Sequence, residues 1–190
     1  MTEPVVLRDG SRAVVRPVEP GDRELIRHVF SNLSPTSRYR RFLSDADELS
    51  DEDLAYLADV DHHRHEALLA LDEETGEALG VARFTRVPGD RDAAEVSVAV
   101  VDARQGLGIG TALLEALSAR AREEGIGRYV ALVSEDNEQM VAALEGVGAR
   151  RGGEAPAPGA AEYELPVPDV GIGELRDALR TAGEQSRPAG

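Results

Sequence analysis

Residues Arg104 to Gly110 read RQGLGIG, and their types and spacing suit the binding of a pyrophosphate. Glycines at 106, 108 and 110 let the main chain approach a ligand closely and take positive φ where a turn needs it. The stretch before them, AAEVSVAVV at 93–101, alternates and is rich in valine, which predicts a strand. The stretch after them, TALLEALSARAREEG at 111–125, sets Leu113, Leu114, Leu117 and Ala121 at helical spacing. The predicted helix would turn its unpaired N–H groups and partial positive charge toward the glycines. Three known turns share these features. A P-loop needs G-x-x-x-x-G-K-[ST], and the turn has no lysine. A dinucleotide fingerprint needs G-x-G-x-x-G early in a βαβ unit, whereas this G-x-G-x-G lies in the second half of the chain. The third pattern, Q/R-x-x-G-x-G/A, is met by Gln105, Gly108 and Gly110.

These residues must be held by a folded domain, and the composition allows one. The chain has 190 residues, 42% hydrophobic and 30% charged, which fits a globular protein with a real core. No apolar run approaches the ~20 residues that span a bilayer, and the N-terminus lacks the pattern of a secretory signal. The absence of cysteine excludes disulfides, thiolate metal sites and a cysteine nucleophile, and it fits a cytoplasmic location. A formal charge of −15 repels nucleic acid and anionic membranes and suits a basic acceptor; it also simply favours solubility.

The elements follow from pattern. Val5–Leu7 and 13–16 flank an Asp-Gly, predicting a hairpin with a primed turn. Asp22 is expected to cap a helix carrying Leu25, Ile26, Val29 and Phe30, and SRYRRFL adds a shorter helix. Ser50 to Asp53 resembles a capping box. Strands are predicted at 66–71, 78–85, 94–101, 129–133 and 162–167, with helices at 111–125 and 137–145. Residues 152–161 read as a flexible loop. The expected domain covers 1–168, followed by a short helix and flexible tail at 169–190.

The order ββ-α-α-ββ-β-α-β-α-β, with the glycine turn after the fourth long strand, resembles the GNAT superfamily of N-acetyltransferases. LRDGSRAVVRPV, LSPTSRYRRFLS, LSDEDLAYLADVDHHRHEALLAL, GVARF and AEVSVAV are most similar to the acetyltransferase domain of bacterial Pat-type protein lysine acetyltransferases. The likeness covers residues 4–167. It implies an α/β (α+β) fold with a central mixed, mostly antiparallel twisted sheet of six to seven strands. About four helices would flank the sheet, and it would splay between strands 4 and 5. A fused regulatory domain, common in that group, is not expected in a chain of this length.

The resemblance also implies the chemistry: acetyl transfer from acetyl-CoA to a primary amine by direct attack in a ternary complex. The main chain of Gln105, Gly106, Leu107, Gly108, Ile109, Gly110 and Thr111 would hold the pyrophosphate. The Val98 N–H would polarise the thioester carbonyl, and Val100 would pair with the pantetheine arm. Glu95 stands where that group places its general base. A carboxylate in a partly apolar cleft would suit the role, and an exposed strand glutamate is the plainer reading. His65 matches an acceptor-side or proton-relay histidine. Asn137 falls near coenzyme A, or serves only as a helix cap. The helix NEQMVAALEG that it opens has no tyrosine to protonate the departing thiolate, and Leu144 stands near that place.

His62, His63 and His65 invite a metal reading, but sequence neighbours point different ways and no second cluster completes a site, so no metal is expected. Arg38, Tyr39, Arg40 and Arg41 form a basic spot that suits the acceptor or the cofactor's 3′-phosphate, or is a paired surface turn. The favoured acceptor is a protein lysine. The alternatives are a small amine (an aminoglycoside, polyamine or amino acid) or a non-catalytic acyl-CoA sensor. A homodimer through 171–183 fits the family.

Overall fold

The valine-rich alternation at 93–101 builds an inner strand of an eight-stranded sheet. The structure is a computed structural model that describes residues 4–42, 47–153 and 158–168. Its strands are β1 (Val5–Val6), β2 (Arg12–Pro17), β3 (His65–Asp72), β4 (Ala78–Arg86), β5 (Ala93–Val100), β6 (Arg128–Ser134), β7 (Arg150–Arg151) and β8 (Ala160–Pro166). The helices are α1 (Arg23–Ser31), α2 (Pro35–Phe42), α3 (Asp51–Ala58), α4 (Ile109–Glu123) and α5 (Glu138–Gly146). The sheet order is β1-β2-β3-β4-β5-β6-β8-β7. Every neighbouring pair is antiparallel except β5 and β6, which run parallel because α4 crosses between them. This is the mixed α/β architecture expected, with one very short strand, β7, that the sequence pattern did not predict.

The sheet has two covered faces, set by strand alternation. On one, Ala94, Phe84, Ala82, Leu68 and Tyr129 pack against Leu113, Leu114, Leu117 and Ala121 of α4, with Leu144 of α5. On the other, Ala67, Leu69, Val81 and Ala99 pack against Ile26 and Val29 of α1 and Leu54 and Leu57 of α3. α3 begins in the expected capping box: Ser50 Oγ accepts from Asp53 N–H and Asp53 accepts from Ser50 N–H.

Three local expectations change. The first hairpin does not close in a two-residue primed turn. Gly10 has φ 87° but Asp9 is not left-handed, and Gly10 N–H reaches back to Leu7 O at 3.0 Å. Asp9 instead accepts from the N–H and hydroxyl of Ser11. Asp22 does not cap α1. Arg16 takes both its oxygens, at 2.6 and 2.7 Å, and Glu19 N–H takes one of them as well. A last strand that starts at Ala160 claims the end of the loop predicted at 152–161. Among the described residues five helices flank the sheet, the one predicted at SRYRRFL running over 35–42. The predicted helix at 171–183 and the tail lie outside the described residues. Among those described, no helix is long and apolar enough to cross a membrane.

Candidate active site

The parallel pairing of β5 with β6 runs from Ala93 opposite Arg128 to Val96 opposite Ala131, and then stops. β5 continues to Val100 and β6 to Ser134, so the strands part in a V that closes at Val96. The splay expected between strands 4 and 5 of the family fold thus falls between β5 and β6. The direction of the main chain in the gap follows from register. Val101 N–H donates to Leu79 O (3.0 Å), so Gly80 and Val100 form a non-hydrogen-bonded pair, as do Ala82 and Val98 two residues along. The peptide groups of Val98 and Val100 therefore point away from β4, into the V. The Val100 carbonyl is taken by the Gln105 side-chain amide at 3.2 Å. The Val98 and Val100 N–H groups face the gap as donors.

The glycine turn lies at the wide end. Gly106 and Gly108 both take positive φ, 75° and 98°, and Gly108 is the N-cap of α4. The first bond within α4 runs from Ala112 N–H to Gly108 O, which leaves the N–H groups of Ile109, Gly110 and Thr111 without helical partners. No acidic residue stands in that first turn. Arg8 occupies two carbonyls of the turn, Gly106 O through its guanidinium (3.0 Å) and Leu107 O through its N–H (3.1 Å). Oxygens that would repel an anion are thereby bound. A Cβ added at Gly110 would stand 3.6 Å from Val100 and 3.9 Å from Val98, so any longer side chain would grow into the floor of the groove. Leu107 and Ile109 bury their side chains in the core.

The V and the turn open into one groove of about 600 Å³. Its walls include Val96, Val98 and Val100 of β5, Ala131 and Val133 of β6, the glycines, Thr111, Asn137 and Met140. α2 packs against both β5 and β6 and turns Thr36, Ser37 and Arg40 toward the groove. Asn137 does both things weighed for it: its Oδ1 caps α5 by accepting from Met140 N–H at 3.4 Å, and it lines the groove. Leu144, where a thiolate-protonating tyrosine would stand, is buried and apolar. Tyr129 reaches the groove, but burial pushes its hydroxyl up to about 12 and its nearest polar partner is Ser118.

Glu95 sits one residue before the V closes. Its side chain points to the α1–α3 face, opposite to Val96 and Val98. It is exposed, not set in the partly apolar cleft expected. Register brings His65, Thr85 and Glu95 into one row across β3, β4 and β5. His65 stacks on Tyr56 with ring centres 5.2 Å apart, and its Nε2 lies 3.1 Å from Arg83 Nη1. Burial first, and then the Arg83 charge, lower its pKa to about 4, so it is neutral at physiological pH. The three histidines diverge: His62 goes to Glu66 on the α4 face, His63 to Glu124, and His65 to Arg83. The basic spot splits as well. Arg38 lies over the Phe30 ring and donates to Leu33 O, whereas Arg40 lines the groove.

Sequence reasoning missed Arg83, a buried arginine inside a strand covered on both faces, and the bracing of the turn by Arg8. Only three-dimensional register reveals the first. The second had a faint signal in the arginine of the RDGSR hairpin.

A parting of two parallel strands beside a glycine-capped helix suits a thioester cosubstrate with a pyrophosphate. The model of the acetyltransferase (GNAT) family matches residues 29–149. The chain belongs to the GNAT acetyltransferase family. As a GNAT N-acetyltransferase it uses acetyl-CoA. It is 34% identical to an acetyltransferase of Pseudomonas aeruginosa over 70% of this chain and 73% of that protein. It is 35% identical to acetyltransferase Pat of Mycolicibacterium smegmatis over 77% of this chain, but spans only 44% of Pat. Among solved structures it resembles the GNAT domain of S. lividans PAT, with a TM-score of 0.76 and 32% identity over 86% of this chain and 96% of that one.

Proposed function

We propose that this GNAT enzyme acetylates the side-chain amine of protein lysine, with Glu95 as general base. The observation that carries the reading is the place of Glu95. It is exposed at the closed end of the V, on the sheet face opposite α4, one residue from the strand pairing that ends the groove. The pyrophosphate of acetyl-CoA lies at the Gln105–Thr111 turn, and the pantetheine pairs with the Val100 N–H. The thioester carbonyl accepts from the Val98 N–H. A lysine ammonium titrates near ~10.4 and must lose a proton before it attacks. Glu95 receives that proton, directly or through water. The C–N bond then forms, the C–S bond breaks, coenzyme A leaves as a thiolate, and the second proton on the acylated nitrogen passes to that thiolate or to water, leaving a neutral amide. No side-chain acid is assigned to that thiolate. His65, neutral and on the same face as Glu95, belongs to the acceptor side, where it offers an aromatic wall and not a charge.

The strong acidity of the chain supports a cationic acceptor. A further property makes the test clean. All 21 basic side chains of the Lys and Arg class are arginine, so any acetyl-lysine formed resides in the acceptor. The experiment incubates the protein with labelled acetyl-CoA and a panel of purified acyl-CoA synthetases, set against polyamines, aminoglycosides and amino acids. Label on lysines of a protein is the expected result. Label on small amines alone would replace the lysine reading with that of a small-amine acetyltransferase.

A further inference from the structure

Arg83 reaches from β4 into the α1–α3 face, where it is buried beside Ile26, Val29 and Leu57. Its Nη2 donates to Leu57 O (3.1 Å) in the last turn of α3, and its Nη1 lies 3.1 Å from His65 Nε2 on β3. Arg83 thus ties the helix that carries Tyr56 to the strand that carries His65. A guanidinium stays charged and has N–H donors only, so a ring nitrogen at this distance must accept. His65 Nε2 therefore keeps its lone pair for Arg83, and the one proton of the neutral ring sits on Nδ1. The same contact opposes protonation, because an imidazolium would set a second N–H and a second positive charge against Arg83. Burial acts in the same direction, and so does His62, whereas Asp61 and Glu66 pull the other way. Nδ1 makes no hydrogen bond to another described residue, and Tyr56, itself exposed, stacks on the half-buried ring.

We propose that Arg83 is a positioning residue that fixes His65 as an Nδ1–H donor, and that His65 spends this donor on a carbonyl oxygen of the acceptor. The enzyme would thereby select a lysine held in a peptide over a simple diamine. The proposal deepens the lysine reading above and rests on it for the place of the acceptor. An ammonium only donates, so Nδ1–H finds no partner in the amine and needs an oxygen. A lysine in a peptide brings main-chain carbonyls, and a polyamine brings none. His65 and Glu95 stand at the two ends of one row, with Thr85 between them. Two strand spacings separate them, about 10 Å. An extended lysine spans a similar distance from its amine to its main-chain carbonyl. The amine at Glu95 and the carbonyl at His65 are therefore compatible, with Tyr56 beside the ring as a surface for the stem. Because Arg83 holds its lone pair, His65 takes no proton from the amine, and the relay weighed for it falls to Glu95 alone.

The test reads the imidazole nitrogens of the full chain by nitrogen NMR, where only four histidines need assignment. Beside it, kcat/KM is measured for a lysine peptide and for cadaverine, which has the lysine stem without a carbonyl. In the wild type, His65 is expected to carry its proton on Nδ1, to leave Nε2 bare, and to stay neutral until the pH nears about 4. Arg83→Met keeps an apolar stem and removes the donors. His65 is then expected to titrate near the ordinary ~6.5 and to lose its fixed tautomer. The kcat/KM for the peptide should fall about tenfold, the worth of one hydrogen bond, and that for cadaverine less than about twofold. Arg83→Lys keeps a donor at the site and serves if Arg83→Met fails to fold; it should hold the tautomer and lose less. A proton on Nε2 in the wild type overturns the proposal. So does an equal loss for both amines in the variants, which is what a merely structural arginine would give. Either result leaves the lysine reading standing. A wild type that prefers cadaverine to the peptide overturns that reading and the carbonyl recognition together.

Discussion

On the α4 face of the sheet, the donor groove is made of main chain. It comprises two strand N–H groups exposed where β5 leaves β6, three N–H groups at the start of α4, and glycines that take positive φ. On the α1–α3 face, the acceptor side proposed above is made of side chains: Glu95 from β5, Arg83 from β4, His65 from β3 and Tyr56 from α3. The first is rigid because its geometry is the fold itself. The second is exposed at Glu95 and Tyr56 and depends on residues from four elements meeting in register. One fold can therefore keep its donor while its acceptor changes.

The largest expected effect separates the two faces. Glu95→Gln should lower kcat for an amine acceptor by about 100-fold or more, the usual contribution of a general base, with the Kd of acetyl-CoA unchanged. Steady-state rates beside calorimetry check both halves of that statement. Next comes the mirror-image change. Gly110→Val sends a branched side chain into the groove floor between Val98 and Val100. The branches occupy space the bound arm would take, so acetyl-CoA should bind at least about tenfold more weakly, about 1.4 kcal/mol, in a protein that still folds.

How much of this was legible depends on the same division. RQGLGIG announced the donor side because glycine spacing is itself the constraint, and the valine alternation before it placed the strand. The row of His65, Thr85 and Glu95 was not legible from spacing. The three lie on different strands, and their alignment comes from the pairing of β3 with β4 and β4 with β5. Resemblance named Glu95 and His65, but it gave Glu95 an apolar cleft that the exposed strand position does not supply. Arg83 stayed hidden because β4 is buried on both faces, so period-two alternation has no polar phase in which an arginine stands out. Asp22 misled for a related reason: its sequence position fits a helix cap, but Arg16 on the neighbouring strand binds it more strongly.

Smaller effects sharpen the comparison. Asn137→Ala removes the cap of α5 and should cost about 1 kcal/mol of stability by thermal unfolding, with a rise of a few-fold in the KM for acetyl-CoA. On the acceptor face, pH acts through His65. The unfolded chain takes up a proton near ~6.5, and the folded chain resists until about 4. The unfolded state therefore binds more protons in that window, and stability should fall as pH drops from ~6.5 toward 4. His65→Gln, which keeps an acceptor for Arg83, should flatten that slope in denaturant titrations. Asp61 sets a second, lower step. Burial alone would raise its pKa, but the N–H groups of His63, Arg64 and His65 outweigh burial and hold it at about 2. Its contribution is present above the ordinary carboxylate range and is lost as pH falls through that value.

The division of labour between the two faces is tested most directly by calorimetric titration of acetyl-CoA into wild type, Glu95→Gln and Gly110→Val, with NAD as the comparison ligand. The account predicts the same micromolar binding in wild type and Glu95→Gln, clearly weaker binding in Gly110→Val, and none of NAD. Undiminished binding by Gly110→Val, or loss of binding in Glu95→Gln, would contradict it.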